Sequence, residues 1–225
     1  MCKINWNTEE LRKLYITKVF QKNELLLEEF LSSIGQKIER ANYHSQKAKE
    51  AWEEFFKPSV ITIPSPQFDS ATNVSVAETE ALVHVLNSMA DILAQVINMT
   101  LLELVNQSMP EDEVFAYKVL DKLSKFAQYK NVARAFSLFL NSREFKYINA
   151  FCNTMKHRKL LDIDYHLHIN YREKGKIQEG LRFKEFSYKR ILFPVTWSAV
   201  IQEDYRLKIY DHICDVGSSI NKVMA

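Results

Sequence analysis

Glycine is scarce in this chain, which has only four glycines among 225 residues. A soluble protein typically carries about 7% glycine, several times more. Helices need few backbone positions with positive φ, so a protein built from long helices can do without glycine. The shortage therefore predicts a mainly helical fold. The length makes one domain, residues 1–225, the default expectation.

Cysteine is also scarce, and its spacing excludes two kinds of site. The three cysteines, Cys2, Cys152 and Cys214, are odd in number and far apart. Neither a disulfide framework nor a zinc knuckle follows from that pattern. We expect Cys152 and Cys214 to be small core residues of a reduced, cytoplasmic protein.

Long uninterrupted apolar runs are missing as well. The N-terminal residues lack the apolar core of a signal peptide. The most apolar long window, 84–104, is interrupted by four polar residues: Asn87, Asp91, Gln95 and Asn98. This pattern predicts a buried helix rather than a membrane span, so we expect no membrane partner.

Several enzyme motifs are absent, and the overall charge is nearly neutral. The chain has no G-x-S-x-G, P-loop, dinucleotide fingerprint or H-E-x-x-H sequence, so we expect no cofactor. The formal net charge is +2, but residues 171–190 hold seven cations and three acids. A solvated hairpin and a surface facing phosphate explain this local excess equally well.

Helical patterning starts with a capping-box sequence at Asn7 and continues to Pro58. About fifty residues is long for one globular helix. The segment 1–57 is therefore expected either to break near Asn23 or Gly35, or to form a helical arm.

The rest of the chain alternates between two periodicities. Residues 58–72 hold three of the five prolines, which predicts a linker. Apolar residues at three- and four-residue steps predict later helices over about 75–108, 110–129, 132–140, 143–161 and 196–224. Two stretches that alternate in steps of two predict one β-hairpin, at about 162–190. The expected fold is mainly α, a bundle of five or six helices with one inserted hairpin.

The helix predicted over 143–161 has a distinctive polar face. On a helical wheel four polar residues fall within about 100° of one another: Asn149, Asn153, Lys156 and His157. Arg158 points elsewhere. A solvated helix end explains the cations, because positive charge is favourable near a helix C-terminus. Two stacked asparagines are harder to explain, since Asn is a poor helix-interior residue, and His suits proton transfer near neutral pH.

The run YINAFCNTMKHRKLLD (147–162), followed by the hairpin and the last helix, resembles the HEPN superfamily. The similarity is to bacterial subfamilies with an N-x-x-K-H-R signature in a late helix, and it covers roughly the last two-thirds of the chain. The superfamily motif is an Arg, a polar residue, a few variable residues and a His. Asn153 and His157 match that motif, whereas Cys152 occupies the Arg position.

The resemblance implies a helical, usually dimeric protein. Many members are metal-independent endoribonucleases of toxin–antitoxin and anti-phage systems, and others are non-catalytic. It therefore implies as partners a second copy of the chain, RNA, and a cognate antitoxin or defence protein. The alternative is a non-catalytic scaffold or nucleotide-binding protein of the same fold.

In an RNA-cleaving member, the ribose 2′-OH attacks the adjacent phosphorus without a metal. His157 is expected to transfer a proton and Asn153 to orient the phosphate. Lys156 or Arg158 is expected to offset the developing charge. Further RNA contacts are expected from Asn149, Lys146, Arg182 and Lys184.

One strand face is the remaining candidate site. Four residues at even positions share it: Asp162, Asp164, His166 and His168. An Asp/His face can bind a metal, but a polar outer face of a hairpin is the commoner explanation. We therefore expect no metal.

Overall fold

The computed structural model describes residues 6–19, 23–56, 64–170 and 176–225. Within these ranges the fold is mainly helical, as predicted, with seven α-helices rather than five or six. The first six are α1 Thr8–Lys18, α2 Glu24–Phe56, α3 Pro66–Ile97, α4 Ala116–Leu123, α5 Lys130–Asn141 and α6 Arg143–His157. The last, α7, runs continuously through Ser198–Val200, a π-helical segment Ile201–Tyr205, and Arg206–Met224.

The first helical block divides at one of the two expected positions. Asn7 caps α1, because its Oδ1 accepts a hydrogen bond from the Glu10 N–H at 3.0 Å. Asn23 caps α2 in the same way, accepting from the Leu26 N–H at 3.2 Å. The break near Asn23 is thus confirmed, and Gly35 lies inside α2 without interrupting it.

Helix α3 begins at Pro66 rather than near residue 75, so part of the expected linker 58–72 is helical. Pro58 lies outside the described residues. A π-helical turn, Asn98–Leu102, continues α3. In the described part of the chain, only 66–102 is long and apolar enough to cross a membrane by composition, and 61% of its most apolar window is buried in the protein. This is the burial expected of a core helix.

The prediction of one helix over 110–129 is wrong, because the observed α-helix in this segment is shorter. The segment contains a 3₁₀ turn at Glu111–Glu113, helix α4, and another 3₁₀ turn at Ala127–Tyr129. Phe115 is extended, and the Ala116 N–H donates to Asp91 Oδ1 at 2.9 Å. A carboxylate from a distant helix therefore sets the start of α4.

The β region is larger than the predicted hairpin. Strands β1 Ile163–Asn170 and β2 Lys176–Phe183 are antiparallel, and β5 Thr196–Trp197 adds to β2, giving the order β1-β2-β5. A second hairpin pairs β3 Phe186–Tyr188 with β4 Ile191–Phe193. The residues that connect β1 and β2, 171–175, lie outside the described residues.

The chain forms two compact units. The first unit comprises 1–39, 86–146 and 207–225. In its core the Trp6 indole N–H donates to Asn221 Oδ1 at 3.1 Å. Gly217 lies against the same indole, since a Cβ there would come within 2.1 Å of the ring.

The second unit comprises 40–85 and 147–206. Its core is aromatic: the Phe151 ring centroid lies 4.8 Å from that of Phe183 and 6.1 Å from that of Phe186. Tyr147 lies 5.5 Å from Phe186. These contacts pack the apolar side of α6 against β2 and β3, and they leave the end of α6 exposed.

Candidate functional site

The two asparagines of α6 hydrogen-bond to each other. Asn153 Nδ2 donates to both the backbone O and the side-chain Oδ1 of Asn149, each at 2.8 Å. The amide donor of Asn153 is therefore used within the helix. Asn149 keeps its own side-chain NH₂, which makes no hydrogen bond within the described residues. Of the two amides, Asn149 is the better placed to donate to a phosphate.

Cys152, at the position where the HEPN motif has Arg, is fully buried. Its Sγ lies 3.2 Å from Nδ1 of His84 on α3. Burial raises the pKa of the Cys152 thiol, and the nearby Lys156 ammonium partly opposes this. Burial and Lys156 both lower the pKa of His84. Both shifts favour the uncharged forms, so a hydrogen bond joins a neutral thiol and a neutral imidazole, with a lysine beside them.

Sequence reasoning missed His84. The position of His84 in the sequence does not predict a contact with Cys152 of α6, because the two residues are 68 positions apart. A signal was nonetheless available. His84 lies one turn after Glu80, and both interrupt the apolar pattern of α3. Burial also raises the pKa of Glu80.

The predicted catalytic residues do not converge on one point. His157 is the last residue of α6 and is exposed. Arg158 follows the helix, and its Nη1 donates to the backbone O of Ser187 at 3.3 Å. Its guanidinium lies 5.4 Å from the Tyr188 ring centroid. Arg158 is therefore held by the β3–β4 hairpin, a contact that the helical wheel did not predict.

The predicted RNA-contacting residues have different environments. Arg182 makes two hydrogen bonds to Asp164, at 3.1 and 2.9 Å, and its guanidinium lies 5.5 Å from the Trp197 ring centroid. This contact lowers the pKa of the Asp164 carboxyl. Lys184 and Lys146 are exposed, and the Lys184 N–H donates to the backbone O of Asp162. Among the predicted RNA-contacting residues, only Lys146 and Lys184 therefore have an exposed positive charge.

The Asp/His strand face does not form a metal centre in the residues that can be described. Asp164 is paired with Arg182, and Asp162 lies 3.4 Å from Lys159. His166 packs edge-on against Trp197, and the side chain of His168 lies outside the description. No group of three or more His, Cys, Asp or Glu with metal-binding geometry occurs in the described ranges.

The end of α6 and the β3–β4 hairpin instead form a cationic surface. We define the α6–hairpin surface by seven exposed residues: Lys156, His157, Arg158, Lys159, Lys184, Lys189 and Arg190. A shallow pocket of about 440 Å³ lies between the two elements, lined by Arg158, Lys159 and Leu192 among others. The surface brings together segments that are 25 residues or more apart in sequence.

The turn of this hairpin is conformationally unusual. Tyr188 pairs with Ile191, so the loop consists of Lys189 and Arg190 alone. Their φ angles are 50° and 66°, the left-handed region that a type I′ turn requires. Such turns normally use Asn-Gly, and a residue with a Cβ costs about 1–2 kcal/mol there. The chain therefore keeps two cations where glycine would be more stable.

The chain matches no protein-family model, no curated protein and no solved structure. The resemblance to the HEPN superfamily thus rests on the residues of α6 and remains a prediction.

Proposed function

We propose that this chain binds single-stranded RNA through the α6–hairpin surface, as a HEPN-like effector of a toxin–antitoxin or anti-phage system. The observation that carries the proposal is the contact of Arg158 with Ser187 and Tyr188. It joins two segments, 156–159 and 184–190, that together hold six cations and one acid. Such a surface binds a phosphate backbone by displacing its counterions.

The distribution of charge favours an extended ligand over a small anion. The cations are spread across a helix end and a hairpin instead of converging in one enclosed pocket. Three exposed aliphatic residues accompany them: Leu160 at 68%, Ile191 at 60% and Leu192 at 63% exposure. Unstacked bases of single-stranded RNA offer apolar faces to such side chains, which duplex nucleic acid does not.

RNA binding is tested by fluorescence anisotropy with a labelled single-stranded RNA at several salt concentrations. The triple variant Lys156→Glu, Lys189→Glu, Arg190→Glu is expected to weaken binding at least tenfold. It should also reduce the slope of log K against log salt by about 2, since each single-strand phosphate contact contributes about 0.7.

A matched triple variant separates a specific surface from overall charge. Lys13→Glu, Lys118→Glu, Lys208→Glu changes the net charge equally at exposed positions of the first unit. It should keep nearly all affinity. Equal losses in the two triple variants would refute the α6–hairpin surface as the binding site.

RNA cleavage is a second candidate, favoured by the position of His157. This side chain is exposed beside Lys156 and Arg158, and it makes no hydrogen bond within the described part of the chain. It can therefore reach an RNA bound to the surface. The 2′-OH attacks phosphorus, the bond to the 5′ oxygen breaks, and the products are a 2′,3′-cyclic phosphate and a 5′-OH. His157 removes or supplies the proton.

Cleavage is tested with purified protein, RNA and EDTA. His157→Ala is expected to lower the rate at least about 100-fold, the usual contribution of a general acid or base. His212→Ala, in the first unit, serves as the control. If wild-type protein cleaves no RNA, the chain is a binding protein only. If His157→Ala cleaves at the wild-type rate, the assigned role is wrong.

A protein-binding scaffold is the competing candidate, supported by the same exposed aliphatic residues. In that case Ile191→Ser with Leu192→Ser would abolish capture of a cognate protein partner. The scaffold hypothesis also predicts that the wild-type protein does not bind RNA.

A further inference from the structure

A second pocket, of about 270 Å³, lies in the second unit and shares no residue with the α6–hairpin surface. Segments of α2, α3, β2, β5 and α7 line it. Its chemically informative lining residues are Lys49, Trp52, Glu53, Glu179, Trp197 and Glu203. The volume is slightly below the range of drug-sized ligand sites, so the pocket suits a smaller molecule.

Two indoles form walls of this pocket. Trp52 packs against other aromatic rings, and Trp197 packs against a glycine. The Trp52 ring centroid lies 5.9 Å from that of Tyr165 and 6.0 Å from that of Phe68. Trp197 lies beside Gly180, where a Cβ would be 3.9 Å from the indole. Gly180 has φ of +146°, which side-chain-bearing residues rarely adopt. The walls are therefore largely preformed.

The charge of the pocket is negative. Glu53, Glu179 and Glu203 line it against one cation, Lys49. Lys49 lies 3.7 Å from Glu53, so its charge is already offset. The Trp52 face adds to the negative potential, because the ring quadrupole attracts cations. The Trp197 ring already faces a cation, since the Arg182 guanidinium lies 5.5 Å from its centroid. A phosphate or carboxylate ligand is disfavoured here.

A buried hydrogen-bond network forms the floor. Gln202 Nε2 donates to Thr79 Oγ1 at 2.8 Å and to Ser198 Oγ at 2.7 Å. Thr79 Oγ1 also lies 2.7 Å from the backbone O of Ser75, to which it donates. Both amide hydrogens of Gln202 are thus used, and its Oε1 accepts no hydrogen bond in the described ranges. The floor therefore offers the Gln202 Oε1 as an acceptor.

The main chain at Gln202 is also unusual. Gln202 lies in the π-helical segment Ile201–Tyr205, and π-helical turns are often found at functional sites. Its backbone O accepts from Ser45 Oγ at 3.0 Å and from Arg206 Nε at 2.7 Å. These side chains stabilise the wide turn that brings Gln202 and Glu203 to the pocket.

We propose that this pocket binds a small organic cation with N–H donors, a primary ammonium or a guanidinium. The Trp52 indole and the carboxylates attract positive charge, and the Gln202 Oε1 acceptor selects for a donor. This site is independent of the RNA-binding proposal, because it uses none of the same residues.

The full chain labelled with 5-fluorotryptophan provides a residue-specific test by ¹⁹F NMR. The sequence has three tryptophans, and Trp6 in the first unit is an internal reference. Titration with agmatine, which carries both an ammonium and a guanidinium, should shift the Trp52 and Trp197 signals saturably below about 1 mM. The Trp6 signal should not move. Choline, a cation without N–H donors, should bind at least about fivefold more weakly, and AMP should not bind.

Charge-neutralising variants of exposed glutamates complete the test without disturbing the core. Glu203→Gln and Glu53→Gln should each weaken agmatine binding about two- to fivefold, the range for solvent-exposed charge pairs. Glu29→Gln, on an exposed position of the first unit, is the control and should bind normally. The proposal fails if agmatine produces no saturable shift, if AMP or choline binds as tightly, or if all three variants behave alike.

Discussion

At the scale of single residues, the informative position is Cys152. A short polar motif in α6 suggested an RNA-cleaving site, and its arginine position holds a cysteine. The structure gives that cysteine a partner, His84, and places it in the core. The cysteine is therefore a packing residue with a defined hydrogen bond, and its neutral thiol does not supply the positive charge of an arginine.

Restoring the arginine of the HEPN motif should damage the fold. Cys152→Arg buries a guanidinium at a site with no solvent exposure. We expect it to lower the free energy of unfolding by more than about 3 kcal/mol, the cost of an uncompensated buried charge. Lys156→Arg, one turn later and exposed, should change it by less than about 0.5 kcal/mol. Urea denaturation measures both. A stable Cys152→Arg protein would mean that this part of α6 can open.

The burial of His84, together with the nearby Lys156 charge, also predicts how stability depends on pH. The pKa of His84 is held below its ordinary 6.5 in the folded chain. As the pH falls below about 6.5, the unfolded chain takes up the proton first, so the free energy of unfolding decreases down to the folded pKa. His84→Gln removes this titration. Urea unfolding at pH 7.5 and pH 5.0 should show a smaller loss for His84→Gln than for wild type. Equal losses would contradict the buried neutral state.

At the scale of elements, local signals predicted local structure. The cap at Asn7, the break near Asn23, the apolar periodicity of α3 and the alternation of β1 all correspond to observed features. The start of α4 was missed because its cap, Asp91, comes from 25 residues earlier. Strand β5 was missed because two residues carry no periodicity. The cationic surface depends on Arg158 meeting the β3–β4 hairpin, a contact that no spacing in the sequence encodes.

The β3–β4 turn should show a conflict between stability and binding. Lys189→Asn with Arg190→Gly supplies the residues that a type I′ turn prefers. We expect the free energy of unfolding to rise by about 1–2 kcal/mol. The same change removes two cations from the α6–hairpin surface, so RNA affinity should fall. Thermal unfolding and anisotropy measure the two effects. Greater stability with unchanged RNA affinity would mean that the strained turn serves another purpose.

At the scale of the whole molecule, the net charge of +2 is uninformative because it averages two opposite regions. Both lie in the second unit: a cationic α6–hairpin surface and an anionic pocket between two indoles. The first suits a polyanion and the second a small cation. A near-neutral total therefore conceals two regions of opposite charge, which only the folded arrangement separates.

Cleavage, if it occurs, should require two copies of the chain. General acid and base steps need two proton-transferring groups, and His157 is the one histidine among the seven residues of the α6–hairpin surface. A dimer that brings two such surfaces together supplies the second histidine. Light scattering should then give twice the monomer mass. Mixing wild-type and His157→Ala chains should produce heterodimers with at most a few per cent of wild-type activity. Half the activity in heterodimers, or full activity in a monomer, would show that one His157 is sufficient.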